Sequence, residues 1–230
     1  MIYFKIVLFY NKTTTTQEMT SEIILAFDTE TTGLFPTKKV NYNMDEMPFI
    51  TQLSFILYDY KNKHIIQTYN QYIRIPQETT ITPFITGLTG VTREKCDNGV
   101  HIRDVLQAFW MAYNQCDVVI AHNIDFDRRM MEIELIRNSY ILTDVRSMSM
   151  FNPTYNYINS IREICTGNLG RNICNIYNSD KRGNKFKKMP KLSELYEFLF
   201  KIPMVGAHNS MYDTEACLKC YNAICDMNQK

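Results

Sequence analysis

With 230 residues, 45% of them apolar and 21% charged, the chain can bury a sizeable core in one domain, which excludes global disorder. A net charge of +1 excludes an overall basic surface, so a nucleic-acid partner would have to be met by local patches. Seven cysteines without regular spacing suit reduced thiols in a reducing, cytoplasmic compartment, with the nucleus left open, and no run near 20 apolar residues offers a membrane span.

Residues 1–10 are apolar but lack the basic start and small-residue cleavage site of a signal peptide, and read as an extra edge strand. Residues 11–20 are threonine-rich, so residues 1–20 are expected as an arm ahead of a domain at 21–230, with Met19 an alternative start. An apolar run from Glu22 to Phe27 has strand length and ends in Asp28-Thr29-Glu30. Side chains alternate along a strand, so Asp28 and Glu30 share one face and Thr29 takes the other. Paired carboxylates raise each other's pKa or hold a hard cation such as magnesium or manganese. An isolated Asp-x-Glu is more often a solvated strand end, and the rest of the chain must decide.

Residues 36–48, with Lys38, Lys39, Asp45, Glu46 and Pro48, read as a surface loop. Residues 52–59 form a strand, 61–63 a turn, and 65–75 its hairpin partner, closed by Pro76. Three sequential strands make an antiparallel meander. A short helical or turn segment is expected over 83–92, and an amphipathic helix over 102–115 from Ile102, Val105, Leu106, Phe109, Trp110 and Tyr113. Residues 117–122 are a buried strand followed at once by another helix, a junction where α/β proteins place function. On that helix Asp127 falls in line with Met131 and Leu135 on the apolar stripe, whereas Asp125 lines up with Arg129 and Glu132 on the wetter face. A buried carboxylate needs a partner, so Asp127 is the functional candidate and the role of Asp125 stays open. His122, closing the strand, reads as a hydrogen-bonded structural residue.

A further strand is expected at 141–145, a helical or irregular region at 148–166, and a basic loop insertion at about 167–190. Lys181, Arg182, Lys185 and Lys187 in that insertion are either a solvated charge run or a phosphate-contacting arm with Phe186 available for stacking. A helix from Leu192 ends before Pro203, and the last helix, capped by Asn209 or Ser210, carries Asp213, Cys217, Cys220 and Ile224 on one stripe. His208 lies just before it. A zinc site at Cys217 and Cys220 would need two further ligands at workable spacing, and the sequence offers none.

Three segments together carry a resemblance. Phe-Asp-Thr-Glu-Thr-Thr-Gly-Leu at 27–34, Ala-His-Asn-Ile-Asp-Phe-Asp at 121–127 and Ala-His-Asn-Ser-Met-Tyr-Asp-Thr-Glu-Ala at 207–216 resemble the three motifs of the DEDDh, or DnaQ-like, 3'→5' exonucleases. The resemblance implies a ribonuclease H-like α/β fold, a mixed five-stranded sheet in which an antiparallel meander is followed by parallel strands, flanked by helices. It implies metal binding by Asp28, Glu30, Asp127 and Asp213, two divalent cations (magnesium or manganese), and His208 as general base. By the same resemblance the main chain around Thr31 would hold the terminal 3'-hydroxyl and Leu34 would pack on the last base, although Leu34 reads equally well as a core residue. The implied substrate is a single-stranded 3' end, with DNA in a repair or proofreading setting preferred and RNA trimming close behind. A non-catalytic nucleic-acid-binding module would lack one of the five site residues, and all five are present. A phosphodiesterase of small molecules would need a narrow closed pocket. The family contains monomers and dimers, and no sequence signature chooses between them.

Overall fold

The apolar run ahead of Asp28 becomes the middle strand of the sheet in the computed structural model, which describes residues 22–36, 44–206 and 208–228. The expected arm at 1–20, with its edge strand and Met19, and Lys38 and Lys39 of the polar stretch lie outside the described residues. Strand β1 (Ile23–Thr31) pairs antiparallel with β2 (Ile50–Asp59), which pairs antiparallel with β3 (His64–Tyr72). On its other side β1 runs parallel to β4 (Val118–Ala121), itself parallel to β5 (Arg162–Cys165), giving the order β3-β2-β1-β4-β5. This is the mixed five-stranded sheet that the resemblance implied.

Helices cover both faces, because alternate residues of β1 are buried on each side. Leu25 and Phe27 face α3 (Ile102–Tyr113) and α4 (Ile124–Arg137), where Phe27 and Phe55 pack on Phe109 with ring centres 5.1 and 5.7 Å apart. Ile24 and Ala26 face α8 (Ser210–Asn228) through Cys217, Leu218 and Tyr221. A fully buried side chain of this size contributes about 1.5–3 kcal/mol, so the two layers hold β1 from both sides. Short helices α1 (Pro83–Thr89) and α2 (Arg93–Asp97) link the meander to α3, while α5 (Pro153–Asn159) precedes β5.

Three expectations need correction. The segment at 141–145 is not a strand but joins two 3-10 turns, because Asp144 accepts the Arg146 backbone N–H and the Trp110 Nε1–H and so folds the chain back. The fifth strand is Arg162–Cys165, inside the region read as helical or irregular. The insertion at 167–190 is also no loop. It forms α6 (Thr166–Cys174) and a hairpin of β6 (Tyr177–Ser179) with β7 (Lys185–Lys187), its turn closed by Asp180 accepting N–H groups from Arg182 and Asn184. The chain then leads into α7 (Leu192–Phe200), which packs on α8 through Leu195, Cys220 and Ile224.

Candidate active site

Asp28 and Glu30 leave β1 on the α8 face, each beside a polar residue of β2, since Asp28 pairs with Ser54 and Glu30 with Gln52. Every residue of β2 is buried, so these polar side chains mark the point where the apolar layer gives way to the site. Gln52 and Ser54 both donate to the side-chain oxygen Oδ1 of Asn70. Helix α8 supplies the third carboxylate. Its start is fixed by Asn209, whose side chain takes the Met211 N–H, and by buried Ser210, whose hydroxyl donates to the Asp28 carbonyl at 2.7 Å. One turn on, Asp213 brings an oxygen to within 4.8 Å of both Asp28 and Glu30.

Asp127 comes from the opposite layer. It is 3% exposed, and its Oδ1 accepts both the backbone N–H of Thr29 at 3.0 Å and the Thr29 hydroxyl at 2.7 Å. Thr29 points away from Asp28 and Glu30, as alternation requires, and so holds the carboxylate that reaches β1 from α4. Asp127 stands outside the group of three but is close enough to raise the Asp28 carboxyl. Asp125 is exposed and ion-paired with Arg128 at 2.9 Å, so the structure keeps the two aspartates apart as periodicity required.

Burial is the largest cause of raised pKa throughout this group. It pushes Asp28 well above the carboxylate range, with Asp127, Asp213 and Glu30 adding repulsion. It lifts Glu30 to about 8, helped by Asp213 and Asp127, and Asp127 to about 7 against the two Thr29 hydrogen bonds. Asp213 rises only to about 6, because the His208 N–H and its ring counteract burial. Four crowded carboxyls that resist ionisation together form an oxygen-only donor set suited to hard divalent cations.

His208 is exposed, has a φ of 67°, and donates its backbone N–H to Asp213 Oδ2 at 3.1 Å. The turn before it depends on Gly206, with φ of 81° and a Tyr212 ring carbon 2.8 Å from where a Cβ would stand. His122 is structural, as read, its ring bonded to the Thr166 hydroxyl and the Pro190 carbonyl. Thr31 is buried and donates to the Gly33 carbonyl, which shapes the turn after β1. Leu34 is 83% exposed, so the core-packing alternative for it falls. With Thr32, Glu46, Pro48, Phe49 and Glu78 it lines an open cavity of about 500 Å³. Lys181, Arg182 and Lys185 are exposed on the β6–β7 hairpin, while half-buried Lys187 donates to Asn172.

Sequence reasoning missed Thr29 and Ser210. A buried Asp127 demanded a donor, and the threonine between two acids was the one polar side chain of that stretch aimed at the α4 layer; Ser210 gave no comparable signal.

The exonuclease family model of the RNase T type matches residues 25–221. A DNA polymerase III of PolC type from Mycoplasmopsis pulmonis is 25% identical over 190 residues, which is 83% of this chain and 10% of that protein. E. coli exonuclease I, solved with a dT13 oligonucleotide, superposes with a TM-score of 0.64 at 15% identity, over 88% of this chain and 41% of that one. The cell-death related nuclease CRN-4 superposes at 0.57 and 15% identity, over 90% of this chain and 64% of its own. The chain thus spans about a tenth of the polymerase and about two fifths of exonuclease I. With the family model matched over most of its length, and the mixed sheet in place beneath the acidic cluster, the chain belongs to the exonuclease family, in its DEDDh, DnaQ-like branch.

Proposed function

We propose that the chain is a metal-dependent 3'→5' exonuclease that hydrolyses single-stranded 3' ends of DNA to nucleoside 5'-monophosphates. The observation that carries this reading is the convergence of Asp28, Glu30 and Asp213 within 4.8 Å, with Asp127 alongside. These four would hold two divalent cations, magnesium or manganese. When bound, such ions supply a more acidic attacking water and stabilisation of charge on the phosphoryl oxygens.

The side chains do the remaining work. Thr29 keeps Asp127 from turning back into the α4 layer. His208 is tied through its N–H to Asp213, which keeps its imidazole beside the carboxylates as general base for the water proton. Leu34, exposed past the end of β1, packs on the terminal base, and the main chain around Thr31 takes the 3'-hydroxyl. Lys181, Arg182, Lys185 and Lys187 meet phosphates further along the strand, with Phe186 offering a stacking surface.

DNA is favoured by the oligonucleotides bound to exonuclease I, dT13 in one structure and dA16 in another, and by the polymerase relative, which suits a repair or proofreading setting. RNA trimming is the second reading, favoured by the RNase T name of the family model. Seven free cysteines suit the reducing cytoplasmic setting expected from sequence.

The test is the degradation of matched single-stranded DNA and RNA oligonucleotides with magnesium, manganese or chelator. The expected result is metal-dependent shortening from the 3' end of DNA to mononucleotides, absent in Asp28→Ala. Faster RNA shortening would select the second reading, and binding without cleavage would overturn both.

A further inference from the structure

Helix α4 does more than deliver Asp127. Three turns on, Arg137 lies with its side chain largely buried and its guanidinium turned back onto the segment that leads into β2. Its Nη2 donates to the carbonyls of Met44, Met47 and Pro48 at 3.3, 3.1 and 3.2 Å, and its Cζ lies 3.9 Å from the centre of the Phe49 ring. Nη1 donates to Glu134 Oε1 at 2.6 Å. Glu134, 2% exposed, also accepts the Ile50 N–H on Oε1 and the Asn138 amide on Oε2. A buried ion pair costs desolvation that an apolar pair would not, so its use here calls for a geometric reason. The geometry provides one. The three backbone carbonyls converge on Nη2 while Nη1 takes the Glu134 carboxylate, and a planar two-armed group that reaches both at once is what arginine presents and a single ammonium does not.

The segment so gripped is also joined to the end of β1. Phe49 accepts the Thr32 N–H on its carbonyl and donates its own N–H to the Thr32 hydroxyl, both at 3.0 Å. Met47, Pro48 and Phe49 then form one side of the cavity whose other side is Thr32, Gly33 and Leu34. Asp127 to Arg137 is about 15 Å of helix at about 1.5 Å per residue, so α4 acts as a strut between the acidic cluster and this wall.

We propose that Arg137 and Glu134 are positioning residues that fix the wall of the cleft for the terminal nucleotide at a set distance from the four carboxylates. This rests on the exonuclease reading. The pair touches no reacting atom; it governs how well a polynucleotide end is seated. Loss of the fork leaves the acids in place and lets the wall drift.

The test compares the full chain with Arg137→Lys, which keeps the charge opposite Glu134 but not the second arm on the three carbonyls, and with Phe49→Leu, which leaves the ion pair intact. Two substrates are used with magnesium: a single-stranded dT oligonucleotide, and bis(p-nitrophenyl) phosphate, a phosphodiester with neither base nor sugar. Both variants should raise KM for the oligonucleotide, by about 10-fold in Arg137→Lys, with kcat within about 2-fold and small-ester hydrolysis unchanged. Manganese affinity, read by calorimetry, should stay that of the parent chain. An unchanged oligonucleotide KM in both variants, or an equal fall in activity on both substrates, would overturn the inference. If the parent chain cleaves neither substrate, the exonuclease reading itself fails.

Discussion

At the scale of the residue, the centre depends on how Asp127 is held. A threonine that points away from the other acids fixes it with one backbone and one side-chain donor. Removing a buried hydrogen bond to a charged group costs about 1.5–3 kcal/mol. Thr29→Val, nearly isosteric, keeps the backbone donor and removes the hydroxyl, so it should lower the melting temperature by several degrees and, with Asp127 less firmly held, lower kcat by about 10-fold, a pairing that calorimetry and steady-state kinetics check together. Asp213→Asn should cost more, at least about 100-fold, because several kcal/mol of charge stabilisation depend on the intact donor set. Raised carboxyls also set a pH dependence. In an unfolded chain they titrate near about 4, but folded Asp213, Asp127 and Glu30 titrate at about 6, 7 and 8. Between about pH 4 and about pH 8 the folded form thus holds more protons, and the stability of metal-free protein falls as pH rises through that window. Buried Glu134 and half-buried Glu163 add to this fall, and His122, lowered by burial, opposes it. Chelated protein should melt lower at about pH 8 than at about pH 5, magnesium should restore more at the higher pH, and Asp28→Asn should flatten the slope. A melting temperature that climbs with pH in chelator would contradict this account.

At the scale of the element, legibility in the sequence followed the strength of the periodic signal. Strands β1 to β3, α3, α4 and α8 were readable because their apolar positions recur over many residues, β4 because all four of its residues are apolar, and the regularity of α4 separated buried Asp127 from exposed Asp125. Strand β5 was not, because Arg-Glu-Ile-Cys is four residues long with a single aliphatic, whereas the apolar residues at 141–145 imitate a strand. What ends that imitation is a long-range hydrogen bond from Trp110 to Asp144, which no local window contains. The wall of the cleft was illegible for the same reason, since Arg137 meets carbonyls some 90 positions away. The β6–β7 hairpin carries its own prediction. Replacing Lys181, Arg182, Lys185 and Lys187 with alanine should reduce the slope of log affinity against log salt for single-stranded DNA, by about 0.7 for each phosphate that is no longer neutralised. An unchanged slope would mean that the hairpin stands clear of the strand.

At the scale of the whole molecule, charge is sorted rather than spread. The chain is only +1 overall, yet residues 177–188 hold five bases and one acid, so the remainder is net negative, and three of its acids converge at the end of β1. The aromatic layer beneath β1 is what the site rests on. Phe109→Ala should destabilise the fold by about 3–5 kcal/mol in denaturant titrations, a large part of the about 5–15 kcal/mol available to a domain. Bound magnesium should recover part of that loss, because it binds the folded form alone.

The four carboxylates come from strand β1 and helices α4 and α8, and the last of them stands at residue 213. During synthesis, therefore, a growing chain exposes Asp28 and Glu30 long before it possesses Asp213. The oxygen cluster is complete only once α8 has docked on β1, so a fragment cut short of that helix keeps both acids of the strand and lacks the third member of the cluster.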